Sequence, residues 1–218
     1  MRNFENNLII FLILNIIIMG YIIMLEKFLN YKKCIPDDYK KSVYDIDFNE
    51  LYKLGKRVIF FDLDNTFISY KETMAGEKEY NFIRHLEEIG YEVMLVSNSH
   101  KKRVKPVANY LKVKYLSFSL KPLKLAFRRA KRKLSKKYSN DQIIEIGDQL
   151  LTDVYGSKGL GIYTILVKPI DNKTEVFVTR INRRREEKII NKIKNKDIES
   201  YITKLQQYER DKNEEFNL

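Results

Sequence analysis

A run of four apolar residues that ends in two carboxylates is the feature that most constrains this chain. Val58, Ile59, Phe60 and Phe61 are followed at once by an Asp-Leu-Asp sequence at residues 62–64. An apolar run without alternation is typical of a strand that is buried on both faces of a parallel sheet. Open α/β sheets carry their chemistry at the carboxyl ends of such strands, although an acidic pair can also simply cap a following helix.

Segments with strand and helix character alternate along the rest of the chain. Apolar runs predict strands at residues 58–61, 92–96, 115–118, 142–146 and 162–167, and amphipathic segments predict helices at residues 77–89, 101–111, 122–138 and 150–157. Strands that alternate with helices in this way form βαβ units, whose crossovers are right-handed. The expected fold class is therefore α/β, a three-layer Rossmann-like parallel sheet.

The flanking segments are predicted to be helical or irregular. Residues 45–54 are expected to form a short helix that packs on the sheet, after a connector that contains Pro36. Residues 179–207 place isoleucines and a leucine loosely on one face and predict further helix. The last residues, 209–218, are mostly polar and are expected to fray.

Composition excludes several kinds of site. Cys34 is the single cysteine and His85 and His100 are the two histidines, so a disulfide framework, a cysteine-rich zinc site and histidine-based metal chemistry are not expected. The 41 basic and 29 acidic residues give a net charge of +12, which favours anionic partners such as nucleic acid, phosphorylated ligands or anionic lipid. Charge alone does not choose among these partners.

A long apolar run near the N-terminus predicts a membrane anchor. The run extends from residue 8 to residue 25, at the short limit of what spans a bilayer as a helix. Lysines follow it at positions 27, 32 and 33, whereas Arg2 is the only base before it, so the positive-inside rule leaves the remaining chain at the cytoplasmic face of the membrane. The alternative is that translation starts at Met24, which removes residues 1–23 and predicts a cytoplasmic protein.

Polar residues follow four of the predicted strands at the point where each strand ends. Each alone has a structural explanation, as a helix cap, a solvated base or an acid that complements a helix dipole. The carboxyl ends of parallel strands meet at one edge of a sheet, however, so these residues are expected to lie together. Together they supply a nucleophile, hydrogen-bond donors to a phosphate group and hard oxygen ligands for a metal, in an order that favours phosphoryl transfer. They are Asp62 and Asp64, then Ser97 and Asn98, then Lys121, and finally Asp148 with Asp153.

On these motifs the chain resembles the haloacid dehalogenase (HAD) superfamily of phosphohydrolases. The matching stretches are Asp62-Leu63-Asp64-Asn65-Thr66, Ser97-Asn98, Lys121-Pro122 and Gly147-Asp148-Gln149-Leu150-Leu151-Thr152-Asp153. The segments at residues 42–47, 163–167 and 179–184 are similar to one branch, the YqeG-like type IIIA phosphatases that include the mitochondrial phosphatidylglycerophosphatase. The chain departs from that branch at Phe67, Ser99 and Ser157-Lys158-Gly159, and the last of these removes an arginine near the rim of the site and bears on the substrate.

The resemblance implies roles for these residues in an Mg²⁺-dependent reaction. Asp62 is the nucleophile that forms an aspartyl-phosphate, and Asp64 is the general acid and base. Mg²⁺ is held by Asp62, the main-chain carbonyl of Asp64 and Asp148. The remaining roles are phosphate binding by Ser97, Asn98 and Lys121 and support of these groups by Thr66 and Asp153.

Short intervals between the motifs leave no room for the lid domain that many members of the resembled superfamily insert. Only 32 residues separate Asp64 from Ser97, and 23 separate Ser97 from Lys121. An uncapped site is open, which suits a large substrate or one whose phosphate projects from a surface. The chain is thus divided into a candidate membrane anchor at residues 1–25, a HAD-like phosphatase domain at residues 26–178 and a basic helical extension at residues 179–218.

Two basic clusters favour a phospholipid substrate. Residues 121–137 contain nine bases and no acid, and a second cluster is formed by Arg180, Arg183, Arg184, Arg185 and Lys188. Although a basic face is often merely solvated, clusters of this kind attract anionic bilayers at about 1 kcal/mol per base. With an open site and a candidate anchor, they predict that the chain dephosphorylates phosphatidylglycerophosphate to phosphatidylglycerol.

Two other functions use the same features. A soluble HAD phosphatase of a nucleotide, sugar phosphate or phosphoprotein would use the same catalytic residues. A nucleic-acid-binding or ribosome-binding protein would use the basic faces, but the aromatic residues near them, Phe127, Tyr138 and Phe177, are too sparse for a stacking platform. The sequence does not predict the oligomeric state.

Overall fold

A single parallel sheet of six strands carries the fold. The computed structural model describes residue 20, residues 29–171 and residues 177–214. The strands of the described part lie in the order β1-β6-β5-β2-β3-β4, and every neighbouring pair is parallel. Their bounds are β1 Asp38–Lys40, β2 Val58–Phe61, β3 Glu92–Val96, β4 Lys114–Leu116, β5 Ile143–Gly147 and β6 Tyr163–Val167.

Helices cover both faces of this sheet and extend beyond it at the C-terminal end. The α-helices are α1 Phe48–Lys53, α2 Glu77–Ile89, α3 Lys101–Leu111, α4 Lys124–Lys131, α5 Tyr155–Lys158, α6 Phe177–Lys196, α7 Ile198–Lys204 and α8 Gln206–Glu214. Short 3-10 helices lie at Tyr31–Cys34 and Val43–Asp45. A π-helical turn, Leu150–Val154, leads directly into α5.

Strand β2 lies at the centre of the sheet and is buried on both faces, as its apolar run predicts. Ile59 and Phe61 belong to the hydrophobic core under one layer of helices, and Val58 and Phe60 belong to the core under the other. Successive side chains of a strand point to opposite faces, so an unbroken apolar run serves two cores at once. The prediction of a three-layer α/β fold is confirmed.

The predicted helices at 77–89 and 101–111 and the predicted strand at 92–96 have the observed bounds, but two other predictions were wrong. Strand β1 was placed in a connector, because three half-buried residues at the edge of a sheet carry no periodic signal. The helix predicted at 122–138 ends at Lys131. Beyond it, the backbone N–H of Ser135 donates to Glu92 at 2.7 Å, which draws the chain away from the helix axis.

The prediction that the C-terminal residues fray is wrong for residues 209–214. These residues lie in α8, which packs against the edge of the sheet. Tyr208 is fully buried, and the hydroxyl of Tyr39 in β1 donates to Asp211 at 2.8 Å. Residues 215–218 lie outside the described part of the chain.

The loops at the carboxyl edge of the sheet carry no cap domain. One loop, α2 and β3 separate Asp64 from Ser97, and α3 and β4 separate Ser97 from Lys121, all within the described residues. The predicted membrane anchor at residues 8–25 lies outside the described residues except for residue 20. Among the described residues, no helix has the length and apolar character needed to cross a bilayer.

We expect the C-terminal helices to contribute to the stability of the whole domain. Leu205 is fully buried between α7 and α8, whereas Ile202 on α7 is 53% exposed. Leu205→Ala should lower the free energy of unfolding by about 2–5 kcal/mol, and Ile202→Ala by less than about 0.5 kcal/mol. Urea unfolding followed by circular dichroism measures both. Equal midpoints for the two variants would show that this segment does not fold with the sheet.

Candidate active site

A buried lysine lies at the centre of the carboxyl edge of the sheet and contacts three carboxylates. Lys121 is 1% exposed, and its Nζ lies 2.9 Å from Asp62 Oδ1, 2.6 Å from Asp153 Oδ1 and 3.3 Å from Glu145 Oε1. The loop after β4 thereby meets the ends of the two central strands. The structure brings Asp62, Lys121 and Asp153 together as the sequence predicts.

The loop after β3 holds the loop that carries Lys121. The amide of Asn98 accepts from the backbone N–H of Lys121 at 2.8 Å and donates to the Lys121 carbonyl at 2.9 Å. It also accepts from the hydroxyl of Ser119 at 2.7 Å. Ser97 is buried, and its hydroxyl oxygen accepts from the backbone N–H of Ser99 at 3.0 Å. Asn98 thus contacts the main chain of Lys121, although the sequence predicts that it binds phosphate.

The second carboxylate of the opening motif has its own partners. Asp64 accepts from the hydroxyl of Ser99 at 2.5 Å and from Arg103 Nε at 3.0 Å. Arg103 lies in the first turn of α3 and also donates to the carbonyl of Ser69 at 3.0 Å. The sequence analysis did not single out Arg103. The available signal was a run of three bases at a helix start, where the helix dipole favours acids.

The acidic residues after β5 are fixed by their own turn. Asp153 accepts from the backbone N–H of Gln149 at 3.0 Å and lies against Gly147. A Cβ atom at residue 147 would come within 2.3 Å of Asp153 Cγ, so only glycine allows this approach. Asp148 is fully buried and accepts from the hydroxyl of Thr66 at 3.1 Å. Thr66 therefore links the loops after β2 and β5.

Arg183 of α6 completes the environment of Asp148. Its guanidinium donates to the Asp148 carboxylate and to the Asp148 carbonyl, the latter at 2.5 Å. The side chain of Arg183 is 7% exposed, so the assignment of this residue to an outward basic cluster was wrong. Its neighbours Arg180 and Arg184 are exposed, as a solvated cluster requires. The spacing of the arginines in the sequence did not distinguish the buried Arg183 from its exposed neighbours.

Carboxylates outnumber bases in this region. Among the described residues, six carboxylates share three basic partners: Asp62, Glu145 and Asp153 with Lys121, Asp64 with Arg103, and Asp148 and Glu186 with Arg183. Burial raises the pKa of Asp62, Lys121 opposes this shift, and the neighbouring carboxylates add to it. Burial alone would lower the pKa of Lys121, but Asp153, Asp62 and Glu145 raise it well above its usual value, so the lysine stays charged.

The excess of carboxylates suits a divalent cation. Asp62, Asp64 and Asp148 offer the hard oxygen atoms that Mg²⁺ prefers, and a cation would offset their mutual repulsion. In the described part of the chain, no group of three or more acidic, histidine or cysteine side chains is placed so that it could hold a metal ion. Mg²⁺ does not require one, since it is usually held by one or two carboxylates, waters and substrate phosphate. The donor set therefore fits Mg²⁺.

Glu145 is a further residue that the sequence analysis did not single out. It lies in the middle of central strand β5, is 1% exposed, and places Oε1 beside Lys121, while Oε2 has no hydrogen-bond partner among the described residues. Burial raises its pKa well above the usual value, and Lys121 opposes this shift. A lone acid within an otherwise apolar central strand was the signal available in the sequence.

Two sequence relationships connect this site to known proteins. Residues 18–171 match the family model described as mitochondrial PGP phosphatase. The protein of Bacillus subtilis (strain 168) named "Probable phosphatase YqeG" is 34% identical over 173 residues, which cover 79% of this chain and 96% of that protein.

Solved structures show weaker similarity. The HAD-hydrolase YfnB of Bacillus subtilis, in a magnesium-bound crystal form, matches with a TM-score of 0.40 at 13% identity over 56% of this chain and 90% of that one. An uncharacterized protein of Listeria monocytogenes serotype 4b matches with a TM-score of 0.43 at 14% identity over 55% and 85%.

We predict that Glu145→Gln stabilises the protein at neutral pH. A carboxyl whose pKa is raised by folding destabilises the folded state once the pH exceeds its unfolded value, because the unfolded chain then releases the proton more readily. Glutamine resembles the neutral acid but cannot ionise, so the substitution removes this loss of stability. The difference in the free energy of unfolding between the variant and the wild type should therefore be absent near pH 4 and grow towards pH 8.

Urea unfolding at several pH values, without added metal, tests this prediction. Glu88→Gln is the matched control, because the Glu88 side chain is 78% exposed. A Glu145→Gln variant that is less stable than the wild type at pH 8 would show that Glu145 is needed as an anion.

Proposed function

The chain belongs to the mitochondrial PGP phosphatase family and is a YqeG-like phosphatase of the HAD type, and on that premise we propose that it hydrolyses the phosphomonoester of phosphatidylglycerophosphate with Mg²⁺. The observation that carries the catalytic part of the proposal is the contact of Asp62 with Lys121 at the end of the central strand. A carboxylate and a fixed cation lie side by side where parallel sheets place their chemistry.

Asp62 is proposed as the nucleophile. One of its carboxylate oxygens attacks phosphorus, the bond from phosphorus to the alcohol oxygen breaks, and an aspartyl-phosphate forms. The side chain is suited to this because Lys121 holds Asp62 Oδ1 and leaves the other oxygen for attack. Bound Mg²⁺ would neutralise charge between the carboxylate and the incoming phosphoryl group.

Asp64 is proposed as the general acid and base. It protonates the departing alcohol oxygen and then takes a proton from the water that hydrolyses the aspartyl-phosphate. Ser99 and Arg103 both donate to its carboxylate and fix its orientation two residues beyond the nucleophile.

Ser97 and Lys121 are proposed to bind the phosphoryl oxygens. The Ser97 hydroxyl is available to donate, because among the described residues its one hydrogen bond is the local one that its oxygen accepts from Ser99. Lys121 has three N–H donors and three carboxylate neighbours, of which Glu145 is the most distant, so a phosphoryl oxygen would most easily displace Glu145. Asn98 supports this role through the backbone of Lys121, while Thr66 and Asp153 support Asp148 and Lys121.

The lipid part of the proposal is supported by the edge of the sheet that carries the site. Two exposed apolar side chains lie on this edge outside the catalytic loops, Leu125 in the first turn of α4 and Ile170 after β6, each 46% exposed. A third, Met74, is 42% exposed in the loop before α2. Exposed lysines lie in the loops and first helical turns that follow strands at the same edge, at positions 41, 71, 78, 101, 102 and 124.

Apolar and basic side chains together match an anionic bilayer. The apolar groups insert among the acyl chains, and each lysine near the surface adds about 1 kcal/mol of attraction. Because no cap covers this edge in the described residues, a phosphorylated headgroup in a membrane could reach Asp62. We therefore propose that the enzyme acts at the cytoplasmic face of a membrane.

Asp62→Asn should abolish turnover. The amide has no charge to attack phosphorus, so release of phosphate from p-nitrophenyl phosphate with Mg²⁺ should fall by at least about a thousandfold. Asp141→Asn, at an exposed aspartate, is the control and should keep wild-type activity. Activity in Asp62→Asn above the background of uncatalysed hydrolysis would remove the nucleophile from the proposal.

Paired variants test the lipid surface in the full chain. Leu125→Ser with Ile170→Ser should lower kcat/KM for phosphatidylglycerophosphate in vesicles of anionic lipid roughly tenfold, because two apolar contacts with the bilayer are lost. Hydrolysis of p-nitrophenyl phosphate should not change. Leu54→Ser with Tyr110→Ser is the matched control, since both residues are exposed near the opposite edge of the sheet.

The outcomes separate the candidate substrates. If both double variants hydrolyse vesicle substrate like the wild type, the membrane surface is wrong. If the wild type hydrolyses soluble phosphates well and the lipid not at all, the enzyme is a soluble HAD phosphatase.

A further inference from the structure

The three C-terminal helices form a second wall of the active site. Their apolar residues pack against the π-helical turn that follows Asp148, in a core that joins Leu150, Leu151 and Val154 to the helices. From the helices, this core receives Ile189, Ile190, Ile193, Tyr201, Leu205 and Tyr208. The loop that carries Asp148 is therefore held between β5 and a segment that lies beyond the matched family region, residues 18–171.

Arg183 makes polar contacts between this wall and the Asp148 carboxylate. One nitrogen of its guanidinium, Nη2, donates to Asp148 Oδ2, and the other, Nη1, donates to the Asp148 carbonyl at 2.5 Å. The other carboxylate oxygen, Oδ1, accepts from Thr66 at 3.1 Å. A single arginine thus fixes both the side chain and the main chain of Asp148.

Two buried groups hold Arg183 in place. Glu186, one turn along α6, lies 3.3 Å from Arg183 Nη1 and also accepts from the backbone N–H of Leu151 at 3.1 Å. The hydroxyl of Tyr208 lies 3.3 Å from the same nitrogen and 3.5 Å from the Asp148 carbonyl. The orientation of Arg183 is therefore set by α6 and α8 and by the turn after Asp148.

We propose that Arg183 is a positioning residue that shares Asp148 with the divalent cation. It holds the carboxylate in the orientation that catalysis needs, and its positive charge weakens the binding of Mg²⁺ at the same carboxylate. The inference rests on the proposed Mg²⁺ dependence of the reaction, but it does not depend on whether the substrate is a lipid.

The direction of the effect follows from charge and burial. Asp148 is fully enclosed, so its negative charge requires a compensating cation. Arg183 supplies one, and a metal ion that binds the same carboxylate must do so beside an existing positive charge. Without Arg183 the buried carboxylate would bind Mg²⁺ more tightly. The planar guanidinium fork of Arg183, which orients the carboxylate by donating two hydrogen bonds to Asp148, would be lost.

Two substitutions separate the charge from the fork. In Arg183→Met both are removed, and we expect Mg²⁺ to bind roughly tenfold more tightly while kcat for p-nitrophenyl phosphate at saturating Mg²⁺ falls about 10–100-fold. In Arg183→Lys the charge remains and the planar fork is lost, so Mg²⁺ affinity should stay within about twofold of the wild type while kcat falls. Titration calorimetry with Mg²⁺ alone gives the affinity without reference to activity.

Arg184→Met is the matched control on the same helix. Arg184 is exposed, and its replacement changes the net charge as Arg183→Met does. It should leave both Mg²⁺ affinity and kcat unchanged. An equal gain in affinity in Arg184→Met would show a general charge effect and overturn the proposal, as would Mg²⁺ affinity that is unchanged or weaker in Arg183→Met.

Two smaller substitutions, Tyr208→Phe and the Arg183→Lys variant described above, keep the test decisive if Arg183→Met does not fold. Tyr208→Phe removes only the hydroxyl beside Arg183 and the Asp148 carbonyl, and it should lower kcat less than Arg183→Lys does, with unchanged Mg²⁺ affinity. Full kcat in Arg183→Lys would overturn the proposal. If the wild-type protein itself does not bind Mg²⁺ in the calorimetric titration, the proposed dependence on Mg²⁺ is contradicted instead.

Discussion

The ion cluster around Lys121 is the interaction on which the site depends. One ammonium group contacts Asp62 from β2, Glu145 from β5 and Asp153 from the turn after β5, all within 3.3 Å. A charge this deeply buried is stable only when it is paired, so strands β2 and β5, the turn after β5 and the loop of Lys121 must keep their relative positions. The geometry that favours phosphoryl transfer is thus also a condition for folding this edge of the sheet.

The sequence predicted the parts of the site that are local to a strand end. Asp62, Asp64 and Asp148 each follow an apolar run, and the strand pattern was enough to bring them to one edge. Lys121 and Asp153 also lie where the motifs imply. The roles of these residues remain proposals, whereas their proximity is observed.

The sequence did not predict contacts between residues that are far apart in the chain. Arg183 reaches Asp148 from a helix 35 residues away in the chain, whereas its neighbours Arg180 and Arg184 are exposed. Strand β1 was missed because its residues are only half buried, and α8 was missed because its burial depends on long-range contacts such as that of its Asp211 with Tyr39 of β1. In each case a long-range contact decided the outcome over the local pattern.

The proposal that Asp62 forms a covalent intermediate has a direct chemical test. Enzyme that is turning over phosphatidylglycerophosphate with Mg²⁺ can be quenched in acid and reduced with borohydride, which converts an aspartyl-phosphate to homoserine. Peptide mass spectrometry should then find homoserine at position 62 and aspartate at position 64. Unmodified aspartate at position 62 during turnover, or homoserine at position 64, would contradict the assignment of Asp62 as the nucleophile.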